Sequence, residues 1–287
     1  MNRPDYVNPE RLNHFISEAF KEDIGDGDHS TLGSVSADIR ESAQLLVKEE
    51  CVLAGVELAA EIFAFYDSEL EMEIFIDDGS RVQAGDIAFK VSGSARSLLT
   101  TERLVLNCMQ RMSGIASMAA EAAKAVEGTG VKILDTRKTT PNFRLCEKWA
   151  VVIGGAFNHR YGLYDLVMLK DNHNDYAGGI TKAVQSTKKY LEATGKKLKI
   201  EVETRNLDEV REALATGAVD IIMLDNMSTA QMKEAVALIG GRCLTEASGG
   251  ITLENMRAVA ETGVDFISAG ALTHSAPNKD LSLKAVR

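Results

Sequence analysis

The 287-residue sequence predicts an α/β protein, with an α+β domain, a helical connector and then a parallel α/β barrel. Three observations predict this. The second half alternates short apolar runs with helical patterns, the rhythm of βαβ units. The first part mixes helical stretches with alternating strand-like pieces and lacks that rhythm. No Gly-rich dinucleotide fingerprint follows any of the six strands, which favours a barrel over an open Rossmann sheet.

Taken in order, PERLNHFISEAFKED (9–23) and VELAAEIFAFY (56–66) carry helical spacing. AQLLVKEE (43–50), EMEIFI (71–76) and DIAFKVSG (86–93) read as strands, and DDGSRVQAGDIAFKV (77–91) as a hairpin with turns at Gly79 and Gly85. A long helical stretch covers 95–126, with a break expected near Gly114. The barrel strands are expected at 131–135, 165–170, 197–203, 220–225, 243–248 and 265–270. Between them lie LCEKWAVVIGG, ITKAVQSTKKYLEATG, LDEVREALATG, TAQMKEAVALIGG and LENMRAVAETG, several closing on glycine as helix C-termini often do.

Composition narrows the function. The chain is 45% hydrophobic and 26% charged, as ordinary soluble proteins are. Its formal charge of −10 argues against general binding to nucleic acid or anionic membranes. No apolar run is long enough to span a bilayer, and the polar, proline-containing start does not read as a signal peptide. Cys51, Cys108, Cys146 and Cys243 are scattered without a C-x-x-C pair, which reads as reduced thiols in a cytoplasmic protein. Yet Arg137, Lys138, Arg144, Lys148, Arg160 and Lys170 crowd into residues 135–173 with His159 and His173. Basicity so localised suggests a pocket for a small anion.

Barrels carry their chemistry at the C-terminal ends of strands, and here all six ends are polar or glycine-bearing. They are Asp135-Thr136-Arg137-Lys138, Lys170-Asp171-Asn172-His173, Glu201 with Glu203, Asp225-Asn226, Ser248-Gly249-Gly250 and Ala269-Gly270-Ala271. The last two suit phosphate, because glycine lets the backbone approach a ligand and helix N-termini attract anions. Glu203 and Asp225 suit a divalent cation such as Mg²⁺, although either could instead pair with Lys138 or Lys170. Arg137, Lys138, His159, Arg160 and Lys170 suit carboxylates or phosphates. Arg144 and Lys148 read as helix-surface residues, and His14 and His29 as structural. The histidines show no metal-ligand spacing.

DTRKTTP, EKWAV, NHRYGLYD, LKDNH, IEVE, LDNM, EASGGIT and ISAGALTHS, in that order, resemble the quinolinate phosphoribosyltransferase family. EDIGDGDHST near the N-terminus and TERLVLNCMQRMSGIA before the barrel extend the resemblance over nearly the whole chain. It implies a two-domain fold: an N-terminal α/β sandwich (1–113), an incomplete α/β barrel (114–272) and a C-terminal segment (273–287) returning to the first domain. The implied reaction joins quinolinate to phosphoribosyl pyrophosphate and gives nicotinate mononucleotide, pyrophosphate and CO₂, a step of de novo NAD synthesis. The resemblance places Arg103, Arg137, His159, Arg160 and Lys170 on the quinolinate carboxylates. Thr136 belongs to the same substrate-binding strand end. Lys138 would reach the co-substrate phosphates, and Ser248, Gly249, Gly250, Ala269, Gly270 and Ala271 the 5′-phosphate, with His274 nearby. Glu203 and Asp225 would hold the ribose hydroxyls, directly or through Mg²⁺. An extra residue before Asp225 leaves open whether Glu201 or Glu203 faces the ribose, and the family pattern implies Glu203. Ala156 stands where a third glycine is common, and TPNFRL where a glycine and leucine usually follow the proline. Arg103, outside the barrel, would serve the neighbouring subunit of a homodimer, with any larger assembly left open. A relative acting on another aromatic acid and a non-catalytic phosphoribosyl sensor are the competing readings.

Overall fold

A computed structural model describes residues 3–286. In chain order the first elements are α1 (Pro9–Ile24), α2 (His29–Ser34), β1 (Arg40–Val47), β2 (Cys51–Val52), α3 (Val56–Tyr66), β3 (Glu71–Ile74), β4 (Arg81–Val82), β5 (Ile87–Ser94) and α4 (Ala95–Ala125). Then come β6 (Lys132–Leu134), α5 (Arg144–Ile153), β7 (Val167–Leu169), α6 (Asp171–Ala177), α7 (Ile180–Thr194), β8 (Ile200–Thr204) and α8 (Leu207–Ala215). The chain closes with β9 (Ile221–Asp225), α9 (Thr229–Ile239), β10 (Leu244–Ser248), α10 (Leu253–Ala260), β11 (Phe266–Ser268), α11 (Ala271–His274) and β12 (Leu281–Ala285). Two compact units result. One holds the residues up to 120, Thr139–Gly155 and the stretch from Leu272 onward. The other holds Glu121–Lys138 and Ala156–Ala271.

The first unit is built on an antiparallel sheet of order β12-β1-β5-β3. β1 and β5 alternate buried and half-buried residues, as strands with one face on a core do. Leu45, Val47, Phe89 and Val91 supply the buried positions, and the Phe63 ring of α3 meets Phe89 edge-on at 6.1 Å. The C-terminal strand completes this sheet, with Leu283 opposite Leu45 and Leu281 opposite Val47. At the start of α1, Asn8 caps the helix by accepting the Arg11 amide at 3.0 Å, and Pro9 fits the first turn because its missing N–H is not needed there.

Four expectations change here. β4 pairs with β2 and not with β5, because Leu53 exchanges backbone hydrogen bonds with Gly79 and Ser80. α4 runs unbroken through Gly114; a Cβ there would strike the Pro277 carbonyl oxygen, so this glycine admits the C-terminal segment. α5 joins the first unit and does not act as an outer barrel helix. Eight of its ten residues are buried, which leaves no wet face. Lys148, expected on a helix surface, is wholly buried for the same reason.

The second unit is a six-stranded parallel sheet of order β6-β11-β10-β9-β8-β7. All six strands lie within the segments their apolar runs mark, apart from Thr204, which extends β8 by one residue. β8 is buried along its length, as a parallel strand covered on both faces must be. The barrel is incomplete. Between its terminal strands β6 and β7 the chain contributes a single parallel bridge, in which the Phe157 amide donates to Ile133 O at 2.9 Å and Phe157 O accepts from the Asp135 amide at 3.1 Å.

Candidate active site

Side chains two apart on a strand share a face, so Glu201 and Glu203 on β8 point the same way at different depths. The tertiary environment separates them. Near the strand end, Glu203 Oε2 lies 4.0 Å from Lys170 Nζ, and the lysine side chain is half exposed. Burial pushes the Glu203 carboxyl up and the Asp225 carboxylate adds to this, while Lys170 works in the opposite direction. Lys170, Glu203 and Asp225 thus share one electrostatic environment at the ends of β7, β8 and β9. Asn226 Nδ2 donates to Asp225 Oδ2 at 2.8 Å and orients it.

Deeper in the same unit lies a cluster that no sequence spacing reveals. His159 Nε2 stands 3.1 Å from Glu201 Oε2 and 3.2 Å from Glu246 Oε2, and both glutamate side chains are 0% exposed. The ligand-type atoms of these three residues lie within 4.8 Å of one another. His159 Nδ1 accepts the Arg160 amide hydrogen at 2.6 Å. Burial alone would lower the His159 pKa, but the bonds to Glu201 and Glu246 outweigh it and raise the triad's hold on its proton, which cannot sit on Nδ1 because that nitrogen accepts the Arg160 amide. Burial also pushes the Glu201 carboxyl up. With Nδ1 occupied as an acceptor, the protons of the triad lie between Nε2 and the two carboxylates. His159, expected on a substrate carboxylate, is therefore turned inward, because both ring nitrogens are already engaged by the protein.

The loop around His159 is tied to the end of β6. Buried Asp135 accepts from Asn158 Nδ2 at 2.6 Å and from the His159 amide at 2.8 Å. Arg160 is thereby placed beside Arg137. Its pKa is lowered, first by burial and then by the Arg137 guanidinium. Arg137 Nε is buried with no hydrogen-bond acceptor among the described residues. Two neighbouring guanidiniums, one short of an acceptor, form a seat for an anion. Thr136 Oγ1 accepts the Lys138 amide at 3.0 Å and shapes that turn, while Lys138 itself is exposed.

At the end of β10, Gly249 and Gly250 adopt φ of 88° and 61°. A Cβ on Gly249 would collide with the Asn226 amide, and Asn226 itself sits at φ 52°. The Asn226 amide donates to Ser248 O at 2.9 Å, so this turn and the end of β9 are locked together. α10 begins at Leu253, three residues after Gly250, under a Thr252–Asn255 capping box. Ala269, buried, donates its amide to Leu134 O at 3.0 Å, and Gly270 and Ala271 lead into α11. His274 is exposed on α11, with Nδ1 2.7 Å from Ser275 Oγ. His173 accepts the Lys170 amide at 3.0 Å and serves as a cap. Arg103 is exposed on α4 and forms no ion pair among the described residues.

Residues 28–113 match the family of the quinolinate phosphoribosyl transferase N-terminal domain, and residues 115–284 that of its C-terminal domain. The chain is 45% identical to the mitochondrial quinolinate phosphoribosyltransferase [decarboxylating] 2b of Nicotiana tabacum, over 95% of this chain and 82% of that one. It is 45% identical to a probable nicotinate-nucleotide pyrophosphorylase [carboxylating] of Synechocystis sp., over 96% of this chain and 93% of that one. Among solved structures, NadC from Streptococcus pyogenes superposes with a TM-score of 0.91 at 40% identity, covering 98% of this chain and 99% of that one.

Proposed function

This chain belongs to the quinolinate phosphoribosyltransferase family, and from that premise we propose how its residues divide the reaction. The enzyme converts quinolinate and phosphoribosyl pyrophosphate to nicotinate mononucleotide, pyrophosphate and CO₂ in de novo NAD biosynthesis. The observation that carries the residue assignment is the Arg137–Arg160 pair. Two adjacent guanidiniums with an unfilled buried Nε suit a ligand bearing adjacent carboxylates.

Arg137, Arg160 and Lys170 hold the quinolinate carboxylates, with His159 behind them. Lys138 reaches the co-substrate phosphates. Ser248, Gly249 and Gly250 cradle the 5′-phosphate together with Ala269, Gly270 and Ala271, and His274 follows in the chain. Glu203 and Asp225 face the ribose hydroxyls and stabilise positive charge on the sugar as the bond to pyrophosphate breaks. The pyridine nitrogen is the nucleophile, so no side chain need form a covalent bond, and positioning supplies much of the rate. When CO₂ leaves, the electron pair of the broken C–C bond stays beside the positively charged ring nitrogen.

Glu203 and Asp225 also fit Mg²⁺. The Asp225 carboxylate adds to the upward push on the Glu203 carboxyl, and one lysine at 4.0 Å answers only part of it. Bound there, Mg²⁺ would offset charge developing on the pyrophosphate leaving group.

We assign the active form to a homodimer in which Arg103 completes the partner's site; the support is its exposure and its lack of an acid partner among the described residues. Among the described residues no helix is long and apolar enough to cross a membrane. Four free cysteines support a reducing, cytoplasmic setting. The deciding assay is quinolinate-dependent release of pyrophosphate and CO₂, with nicotinate a poor substrate. Equal turnover of nicotinate would overturn the two-carboxylate assignment.

A further inference from the structure

The Glu201–His159–Glu246 triad has no part in the reaction as assigned, yet it is the most deeply buried charge in the second unit that lacks full compensation. Two carboxylates with 0% side-chain exposure face a single imidazole. Beyond those two ion-pair contacts, all four carboxylate oxygens lack a hydrogen-bond donor of regular geometry among the described residues. Replacing such acids with apolar residues would remove a large desolvation penalty, so their presence calls for a reason other than stability.

The neighbours supply one. Each polar atom of the His159 backbone N–H and ring is committed. The amide donates to Asp135, Nδ1 accepts from the Arg160 amide, and Nε2 faces the two glutamates. Arg160 follows directly, and its guanidinium feels both Arg137 and the Glu201 carboxylate. The ring therefore acts as a strut. Its outer nitrogen fixes the main chain of Arg160, and its inner nitrogen is fixed from below.

We propose that Glu201 and Glu246 are positioning residues for the substrate-carboxylate seat, acting through His159, which they hold in one tautomer and one orientation. The inference rests on the assignment of Arg160 to the quinolinate carboxylates. A glutamate on Nε2 demands a hydrogen there, which leaves Nδ1 bare to accept the Arg160 amide. The Glu201 carboxylate also supplies negative charge near the Arg160 guanidinium, which offsets the repulsion it feels from Arg137 when the seat is empty.

Glu246→Gln tests this with little change of shape. The amide can present an N–H to Nε2 and so permits the wrong tautomer. The KM for quinolinate should rise about ten-fold or more, the effect of one charge-assisted hydrogen bond, while the KM for phosphoribosyl pyrophosphate stays within about two-fold. Glu201→Gln should repeat the split, and it stands in should Glu246→Gln fail to fold. Nitrogen-15 NMR of the wild-type protein should show His159 with its hydrogen on Nε2 and none on Nδ1. Unchanged quinolinate KM, or both KM values rising together with a falling Tm, overturns the proposal. So does a His159 ring that samples both tautomers, or a stoichiometric metal ion in the wild type that Glu246→Gln loses. If the wild type does not turn over quinolinate, the reaction assignment fails, and the NMR result still decides the triad.

Discussion

Two sets of buried acids divide this molecule. In the first unit Glu147 is 0% exposed, and every side of it is answered. Arg111 donates to Oε1 from Nε and from an Nη, each at 3.1 Å, and Thr140 donates its amide and its hydroxyl, each at 3.0 Å. The same arginine reaches the Thr273 and Ala276 carbonyl oxygens, so the network holds the C-terminal segment in the first unit. In the second unit Glu201 and Glu246 are equally buried but share one imidazole. A closed network of this kind is architecture. An open one, set near the Arg160 guanidinium, is where stability is given up for a site.

The largest effect expected from this contrast is on stability. Glu147→Ala leaves Arg111 without its partner and should destabilise the fold by about 3–5 kcal/mol, as breaking a buried pair does. Urea unfolding would measure it, and a loss below about 1 kcal/mol would mean that the network is not what holds the segment. Next come Lys138→Ala and Lys170→Ala, which should lower turnover by about 10²–10³ while unfolding moves by no more than about 0.5 kcal/mol. Unchanged kcat/KM in either variant removes that lysine from the site.

A third test extends the open side of the comparison across subunits. Arg103→Ala and Lys138→Ala should each be inactive alone. Mixed with subunit exchange, they should recover on the order of a quarter of wild-type activity, since half the dimers are mixed and each has one intact site. Mixed dimers that form and stay inactive would confine Arg103 to its own chain. The smallest effect should come from Glu246→Gln on stability. Because the acid is poorly compensated, its neutral isostere should change unfolding by less than about 1 kcal/mol in either direction. A loss as large as that of Glu147→Ala would erase the distinction between the two sets.

Much of the second unit was legible in the sequence. Apolar runs ending in polar residues mark all six parallel strands, and the polar ends point to the rim where Lys170, Glu203 and Asp225 gather. Glu246 escaped notice because it sits inside an apolar run three residues before Gly249, where it reads as part of a strand. Lys148 misled because α5 has ordinary helical spacing, and nothing local says that both of its faces will be covered. Gly114 was misread as a helix breaker because the carbonyl oxygen it makes room for comes from Pro277.

The sequence by itself determined the element types, the parallel order of the second unit and the family, because periodicity, turn chemistry and ordered motifs are properties of neighbours along the chain. It also placed cations at the strand ends. Only the tertiary structure decided which of two glutamates on one strand faces Lys170 and which faces His159, and which buried acids have partners. Those partners come from the loop after α5, the loop after β6 and α4, and a charge's fate in a low dielectric depends on what stands within a few ångströms of it, not on what precedes it in the chain.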